Sequence, residues 1–297
     1  MPITSQTAST TQNPLMQAPN KADCHCHTVF SDGTLTPVAL LTLAKEKQLT
    51  GLSITDHDTV DAYPIAIPYA AELGITLVPG IEISAHYQNT SIHVLGYAFD
   101  LQDAGLRRLC ERLQTDRESR NEKILLKLAR LNLPISMSEI KTAFPTGTIG
   151  RPHIAKLMVE KGYVKTMQKA FQRYLGEKQR CYVGGMTITV EQAITTIQNA
   201  GGFAVLAHPH SLPNKILSAL TQMPFDGVEV YYGPLSAKQE SPILSLALRK
   251  NWMITGGSDF HGGQKSYASL GASFTPSETF DQFVARTKSH FPALACL

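Results

Sequence analysis

Histidines and acids alternate in Asp23-Cys24-His25-Cys26-His27, and that pattern is suited to holding a cation. Along a strand, alternate side chains share a face, so Asp23, His25 and His27 point one way and the two cysteines the other. Two imidazoles two residues apart can bind one metal ion. Shortly afterwards Ser31-Asp32-Gly33 offers a carboxylate in a turn. Cys24 and Cys26 are ligands by residue type, but the alternation turns them away from the imidazoles. Comparable groups recur along the chain. Asp56-His57-Asp58 follows the apolar run Gly51-Leu52-Ser53-Ile54-Thr55. Glu82 stands inside Pro79-Gly80-Ile81-Glu82-Ile83-Ser84, where an acid is costly unless paired or metal-bound. His93 lies within Ser91-Ile92-His93-Val94-Leu95. His208 follows Phe203-Ala204-Val205-Leu206-Ala207, and Asp259-Phe260-His261 follows Gly256-Gly257-Ser258.

Each group alone has an ordinary structural explanation as a hydrogen-bonded histidine or an ion pair. Their conjunction does not. Six of the ten histidines (His25, His27, His57, His93, His208 and His261) fall in or just after apolar strand-like runs, each close to or in register with a carboxylate. In α/β barrels functional groups collect at the carboxyl ends of strands. Nitrogen and oxygen donors delivered there from several strands predict a polynuclear metal site. Two or three divalent ions can supply a nucleophile at neutral pH and neutralise a phosphate ester's charge, so phosphoester hydrolysis is the chemistry indicated. Basic side chains would complete a phosphate pocket. Arg117 and Arg120 are three apart on one helical face, with a solvated helix face as the plain alternative. Arg151-Pro152-His153 suits the opening turn of a helix, where backbone N–H groups can also meet an anion.

The elements that must position these residues alternate. Apolar strand-like runs at 22–27, 51–55, 76–84, 91–98, 203–207, 227–231 and 253–256 are interleaved with amphipathic stretches at 37–47, 190–200, 216–222 and 236–250. Strand followed by helix, repeated, predicts an α/β fold with a mainly parallel sheet, and at 297 residues a closed barrel is the leading form. From about 103 to 180 the chain is helical, charged and poor in strands, with Leu106, Leu109, Leu113, Ile124, Leu125, Leu128 and Leu131 at helical spacing. This stretch is expected to interrupt a single domain spanning 21–297. Residues 1–20, rich in Thr, Ser, Gln and Pro, are expected to form a flexible tail without a signal peptide's apolar run. No stretch approaches the ~20 apolar residues of a membrane helix. A net charge of +3 does not announce binding to duplex DNA. Five scattered cysteines with no Cys-x-x-Cys pair fit a reducing compartment, hence the cytoplasm.

The pieces D-C-H-C-H-T, S-D-G, T-D-H-D-T, G-I-E-I-S, H-V-L-G-Y, A-H-P and G-S-D-F-H, in this order from Asp23 to His261, resemble the polymerase-and-histidinol-phosphatase (PHP) superfamily of metallophosphoesterases. The R-x-x-R-N and G-R-P-H-I-A segments resemble one branch of it, comprising nucleoside 3′,5′-bisphosphate phosphatases and 5′-to-3′ exoribonucleases. The resemblance implies a distorted seven-stranded (β/α) TIM-like barrel with a helical insertion. It implies two or three divalent ions, manganese first, with iron or zinc as alternatives. It also implies a nucleotide or short oligoribonucleotide substrate. Carried over by motif, His25, His27, Glu82 and Asp259 would hold one ion, and Glu82, His93 and His208 a second. Asp32, His57 and His261 would hold a third, these nine together forming the catalytic set. Arg151 and His153 would bind substrate phosphate, and Asp23 and Asp58 would orient imidazoles from behind. One departure is His210-Ser211-Leu212 after A-H-P, where relatives often carry a basic residue and an aromatic. Alternatives are a histidinol-phosphate-type or other small-molecule phosphomonoesterase, an amidohydrolase, and a non-catalytic PHP binding module.

Overall fold

The computed structural model describes residues 20–290 apart from 89, 185–186, 234 and 264–267. The expected 1–20 tail therefore lies outside the described residues except for Asn20, whose side-chain amide donates to Asp281 Oδ1 at 2.7 Å. Strand β1 (Ala22–Cys26) leads to helix α1 (Pro37–Glu46), which opens with Thr36 accepting from the Ala39 N–H and with Pro37 in its first turn. Strand β2 (Gly51–Ile54), helix α2 (Tyr63–Leu73) and the two-residue strand β3 (Thr76–Leu77) follow. Together they make a parallel sheet of order β1-β2-β3. Strands β4 (Gly80–Tyr87) and β5 (Thr90–Tyr97) pair antiparallel. A helical segment comes next: α3 (Ala104–Ala129), α4 (Met137–Ala143), α5 (Arg151–Glu160) and α6 (Met167–Ala170), the last running into a π-helical turn at Phe171–Leu175. The chain then returns through α7 (Val190–Asn199), β6 (Phe203–Leu206), α8 (Asn214–Leu220), β7 (Gly227–Tyr232), α9 (Ala237–Lys250), β8 (Met253–Gly257) and α10 (Ser277–His290).

The mixed α/β class is as expected, and among the described residues the strands do not form one closed sheet. The described residues form a mixed α/β fold with eight strands in two sheets, the second in the order β4-β5-β6-β7-β8. Between the sheets only isolated bridges occur: Cys26 with Phe260 and His57 with Glu82. Two local features account for this. The expected strand over 76–84 breaks after Leu77, and Pro79, which has no N–H to give a ladder, stands between β3 and β4. Strand β5 also runs antiparallel to both β4 and β6, whereas a repeating strand–helix unit yields parallel neighbours. The remaining strands and the four expected helices lie within one or two residues of expectation. Helix α2, with Pro64 in its first turn and Pro68 inside it, is an addition to the expected helices. Buried Tyr63 anchors it, donating to Ile54 O (2.8 Å) and accepting from the Gly80 N–H (2.6 Å).

The core is divided. One apolar cluster links α1, α2 and α7–α9 to the sheets, and a second lies under β1, β5, β6 and α10 around Phe280 and Phe283. The helical segment has a cluster of its own, built from Ile124, Leu125 and Leu128 of α3 with Ile140, Ile154 and Met158. The leucine stripe of α3 thus serves two cores in succession, since Leu106 and Leu113 join the first cluster.

Candidate metal centre

The strand alternation predicted for β1 holds. Asp23, Cys24, His25 and Cys26 are all fully buried, but the thiols enter apolar clusters while His25 and His27 face Glu82 and Asp259. Burial pushes both thiols up, Cys26 well above its ordinary range, so they stay protonated and outside the site. Strand β8 comes close behind β1. A β-carbon on Gly257 would stand 2.4 Å from the His25 backbone nitrogen, so only glycine fits there. Backbone in the left-handed region aims three of the motif residues: Asp58 (φ 57°), His208 (φ 28°) and Asp259 (φ 53°).

All nine motif residues meet. Nε2 of His25 and of His27 lie 3.3 and 3.2 Å from Glu82 Oε2, and the same distances from Asp259 Oδ1. Glu82 Oε1 lies 2.7 Å from His93 Nδ1 and 3.0 Å from His208 Nε2. Asp32 Oδ1 lies 3.2 Å from His261 Nε2 and 3.9 Å from His57 Nε2. His57 Nδ1 also comes within 3.3 Å of Glu82 Oε2, so the three groups are contiguous. Donors at about 2.1 Å from one cation sit about 3.0–3.4 Å from each other in octahedral or tetrahedral shells, the spacing of the His25, His27, Glu82 and Asp259 atoms, with 2.7 Å at His93 and 3.9 Å between Asp32 and His57 as the departures. Buried atoms His27 Nε2, His57 Nδ1 and Asp32 Oδ1 have no partner in hydrogen-bond geometry, which also fits ions rather than a protein network. The residues present can therefore hold metal, in the groupings His25/His27/Glu82/Asp259, His27/Asp32/His57/His261 and His57/Glu82/His93.

The electrostatics agree. Burial works to raise the carboxyl pKa of Asp32 and Glu82, but the surrounding imidazoles outweigh it and hold both well below the usual carboxylate range. Burial would lower His25 and His27, yet neighbouring carboxylates outweigh it. Glu229, Asp259 and Glu82 hold His25 well above its ordinary value, and Asp259 and Glu82 raise His27 to about 9. His25 and His27 thus hold protons that a cation would displace, whereas burial keeps His57 well below its ordinary value.

The supporting residues differ from expectation. Asp23 does not orient an imidazole. Its carboxylate accepts the backbone N–H groups of Ser258 (2.9 Å), Gly271 (2.8 Å) and His25 (3.2 Å), fastening β1 to the segment after β8. Asp58 accepts from the Ser84 N–H (2.7 Å) and pairs with Arg117 Nε (2.6 Å). The groups behind the ligands are Glu229 at His25 Nδ1 (2.8 Å), Ser31 at His27 Nδ1 (3.3 Å) and Tyr232, whose hydroxyl donates to Asp259 Oδ2 (2.7 Å). Sequence reasoning passed over Glu229, although an acid inside Gly227-Val228-Glu229-Val230 carries the same signal that singled out Glu82.

Of the expected phosphate ligands, Arg117 is buried between Asp58 and Ser84, donating to Ser84 Oγ at 2.6 Å. Arg120 is also buried, and burial together with Arg117 and Arg151 pushes its pKa down to about 9. Arg151 packs over the Tyr182 ring and donates to Leu175 O (3.3 Å). The ring of His153 accepts from the Gly150 N–H at 2.9 Å and bonds the backbone at Ser31. It therefore ties α5 to the loop carrying Asp32.

An α/β scaffold that gathers six imidazoles and three carboxylates around shared oxygens defines a metal-dependent hydrolase. The chain belongs to the PHP domain family, which matches residues 23–202. It is 34% identical over 247 residues to the 5′-3′ exoribonuclease Rnm of Salmonella typhimurium, covering 80% of this chain and 84% of that one. It is 28% identical over 253 residues to the 3′,5′-nucleoside bisphosphate phosphatase of Chromobacterium violaceum, covering 80% and 86%. A solved structure from Bifidobacterium adolescentis, assigned as a metal-dependent phosphoesterase, superposes with a TM-score of 0.82 at 31% identity, over 89% of this chain and 96% of the other. The protein is a metal-dependent phosphoesterase, a hydrolase of phosphate esters. Among the described residues no helix is long and apolar enough to cross a membrane.

Proposed function

We propose that the protein hydrolyses phosphate esters of nucleotides, removing the 3′-phosphate of nucleoside 3′,5′-bisphosphates and trimming short 5′-phosphorylated RNA from its 5′ end. The observation that carries this reading is the cluster of Arg117, Arg120 and Arg151 on the Asp58 side of the metal-ligand groups. Arg117 is paired with Asp58, but burial together with Arg117 and Arg151 holds the Arg120 pKa down, and a bound phosphate would offset that crowding of positive charge at Arg120 and Arg151. The similarity to an exoribonuclease and to a bisphosphate phosphatase supports the same substrate class, since both act on substrates with phosphate on a nucleotide.

In this reading the nine residues His25, His27, Asp32, His57, Glu82, His93, His208, Asp259 and His261 hold two or three divalent ions, with manganese the first to test. Such ions supply a nucleophile at neutral pH and neutralise the phosphoryl oxygens. Glu82 shares its two oxygens between groups. Arg151 and Arg120 take the non-reacting phosphate, Arg117 keeps Asp58 and β4 in register beside them, and His153 fixes the approach of α5. The helical segment over about 103–180 is then an insertion that brings phosphate recognition to the scaffold. Four unpaired cysteines among the described residues support a cytoplasmic setting.

The test is phosphate release from adenosine 3′,5′-bisphosphate, and mononucleotide release from a 5′-phosphorylated RNA tetramer, both with Mn²⁺. Arg151→Ala is expected to raise KM on both and to leave hydrolysis of p-nitrophenyl phosphate unchanged. Activity on p-nitrophenyl phosphate with none on either nucleotide substrate would end this reading.

A further inference from the structure

Glu229 is the third residue of β7, 1% exposed, and lies outside the nine-residue set. Its two carboxylate oxygens do different work. One lies 2.8 Å from His25 Nδ1, and the other accepts the backbone N–H of His208 at 2.8 Å. His25 belongs to the group with His27, Glu82 and Asp259, whereas His208 Nε2 stands beside the His57/Glu82/His93 group, 3.0 Å from the other oxygen of Glu82 and 3.2 Å from His93 Nδ1. We propose that Glu229 is a positioning residue that couples two cation positions, setting the ring tautomer of a ligand in one and the backbone of a ligand in the other. The inference rests on the reading that these groups hold cations.

The chemistry is directional. A carboxylate facing Nδ1 keeps the proton on that nitrogen, so the lone pair is on Nε2, the atom turned to Glu82 and Asp259. The same side chain receives an N–H from His208, whose backbone stands at φ 28° and ψ 55°, a conformation that needs an external hold. The ring of His208 is aimed at Glu82 Oε1 through that backbone. Ser31 touches His27, and Tyr232 donates to Asp259 Oδ2 while its ring packs edge-on against His25 and His208; neither hydrogen-bonds both His25 and His208 as Glu229 does. Glu229 reaches a ligand in each of two groups.

Glu229→Gln keeps the shape but can accept only through one oxygen, and its amide must present N–H to the other partner. The test is calorimetric titration of metal-free protein with Mn²⁺ alone, beside ¹⁵N imidazole spectra of the Zn²⁺-loaded protein. Glu229→Gln is expected to weaken two positions together, each by about 10–100-fold, the usual effect of losing a group behind a ligand. Ser31→Ala is expected to weaken only the groupings that contain His27 and to leave the His93/His208 position intact. In the wild type, His25 is expected to show a protonated Nδ1 and a metal-shifted Nε2, a result independent of whether the variant folds. A wild type that takes up no Mn²⁺ would remove the cation reading as well. Uptake by the wild type with unchanged affinity in Glu229→Gln, weakening at one position alone, or a His25 protonated at Nε2 would overturn the coupling while leaving the metal centre standing.

Discussion

Glu82 Oε1 lies 2.7 Å from His93 Nδ1, while the other oxygen of the same carboxylate faces His25, His27 and His57. A single side chain therefore belongs to two ligand groups. Glu82→Gln is expected to lower kcat by about 10³-fold, the rate equivalent of several kcal/mol of lost charge stabilisation. Metal analysis after dialysis should show a lower metal-to-protein ratio than in wild type. Retention of full metal content with near-normal kcat would show that the carboxylate is not shared.

Arg117 and Asp58 form a buried pair, 2.6 Å apart, joining α3 to the segment after β2. Removing one partner leaves the other charged and desolvated. Arg117→Ala is expected to cost about 3–5 kcal/mol in urea unfolding. Asp58→Asn combined with Arg117→Gln should cost less than the two single changes summed, because neither charge is stranded. Strict additivity would mean that the pair does not couple the helical segment to the sheets.

These two residues show how far the sequence could be read. Parity along β1 separated His25 and His27 from Cys24 and Cys26, and an acid in an apolar run pointed to Glu82. Those signals depend on periodicity and burial cost, which are local. Which strand pairs with which, and in what direction, is decided by packing across the chain, so the antiparallel β5 and the gaps between the two sheets were not legible. The partner of Arg117 was equally hidden: a helical face with Arg117 and Arg120 looks solvated until Asp58, far away in sequence, is placed beneath it. Glu229 is a different case, since its signal was present and matched that of Glu82.

Proton release should accompany metal uptake. His27 has its pKa raised to about 9 because Asp259 and Glu82 outweigh burial, and His25 is also raised, so both hold protons near pH 7 in the metal-free protein. For a raised pKa, the stabilising contribution is complete below the unfolded value of about 6.5 and is lost as pH climbs through about 9. Metal-free protein is therefore expected to lose stability between pH 6.5 and 9 through these groups, while Mn²⁺ affinity rises over the same interval. Titrations in two buffers of different protonation enthalpy should give different apparent heats at pH 7. Identical heats in both would show that the imidazoles are already neutral before the ion arrives.

The helical segment also touches the site through Gly147. Its backbone is left-handed (φ 79°), and an added β-carbon would stand 2.3 Å from the Phe30 carbonyl carbon and oxygen. Next to it the Thr148 N–H donates to Phe30 O at 2.8 Å, and Phe30 is two residues before Asp32. Gly147→Ala thus meets both an unfavourable φ, worth roughly 1–2 kcal/mol, and a backbone contact that must open. The stability loss is expected to exceed that of Gly162→Ala, which is also left-handed (φ 72°) but has open space around it. Because the opening moves the 28–33 loop, Gly147→Ala should also lower activity by disturbing Asp32 relative to His261, now 3.2 Å apart. Gly162→Ala should leave activity unchanged. Thermal unfolding and phosphate-release assays on the two variants, side by side, separate backbone strain from loop displacement. Equal stability losses with equal activity would show that the contact at Phe30 does not hold Asp32 in place.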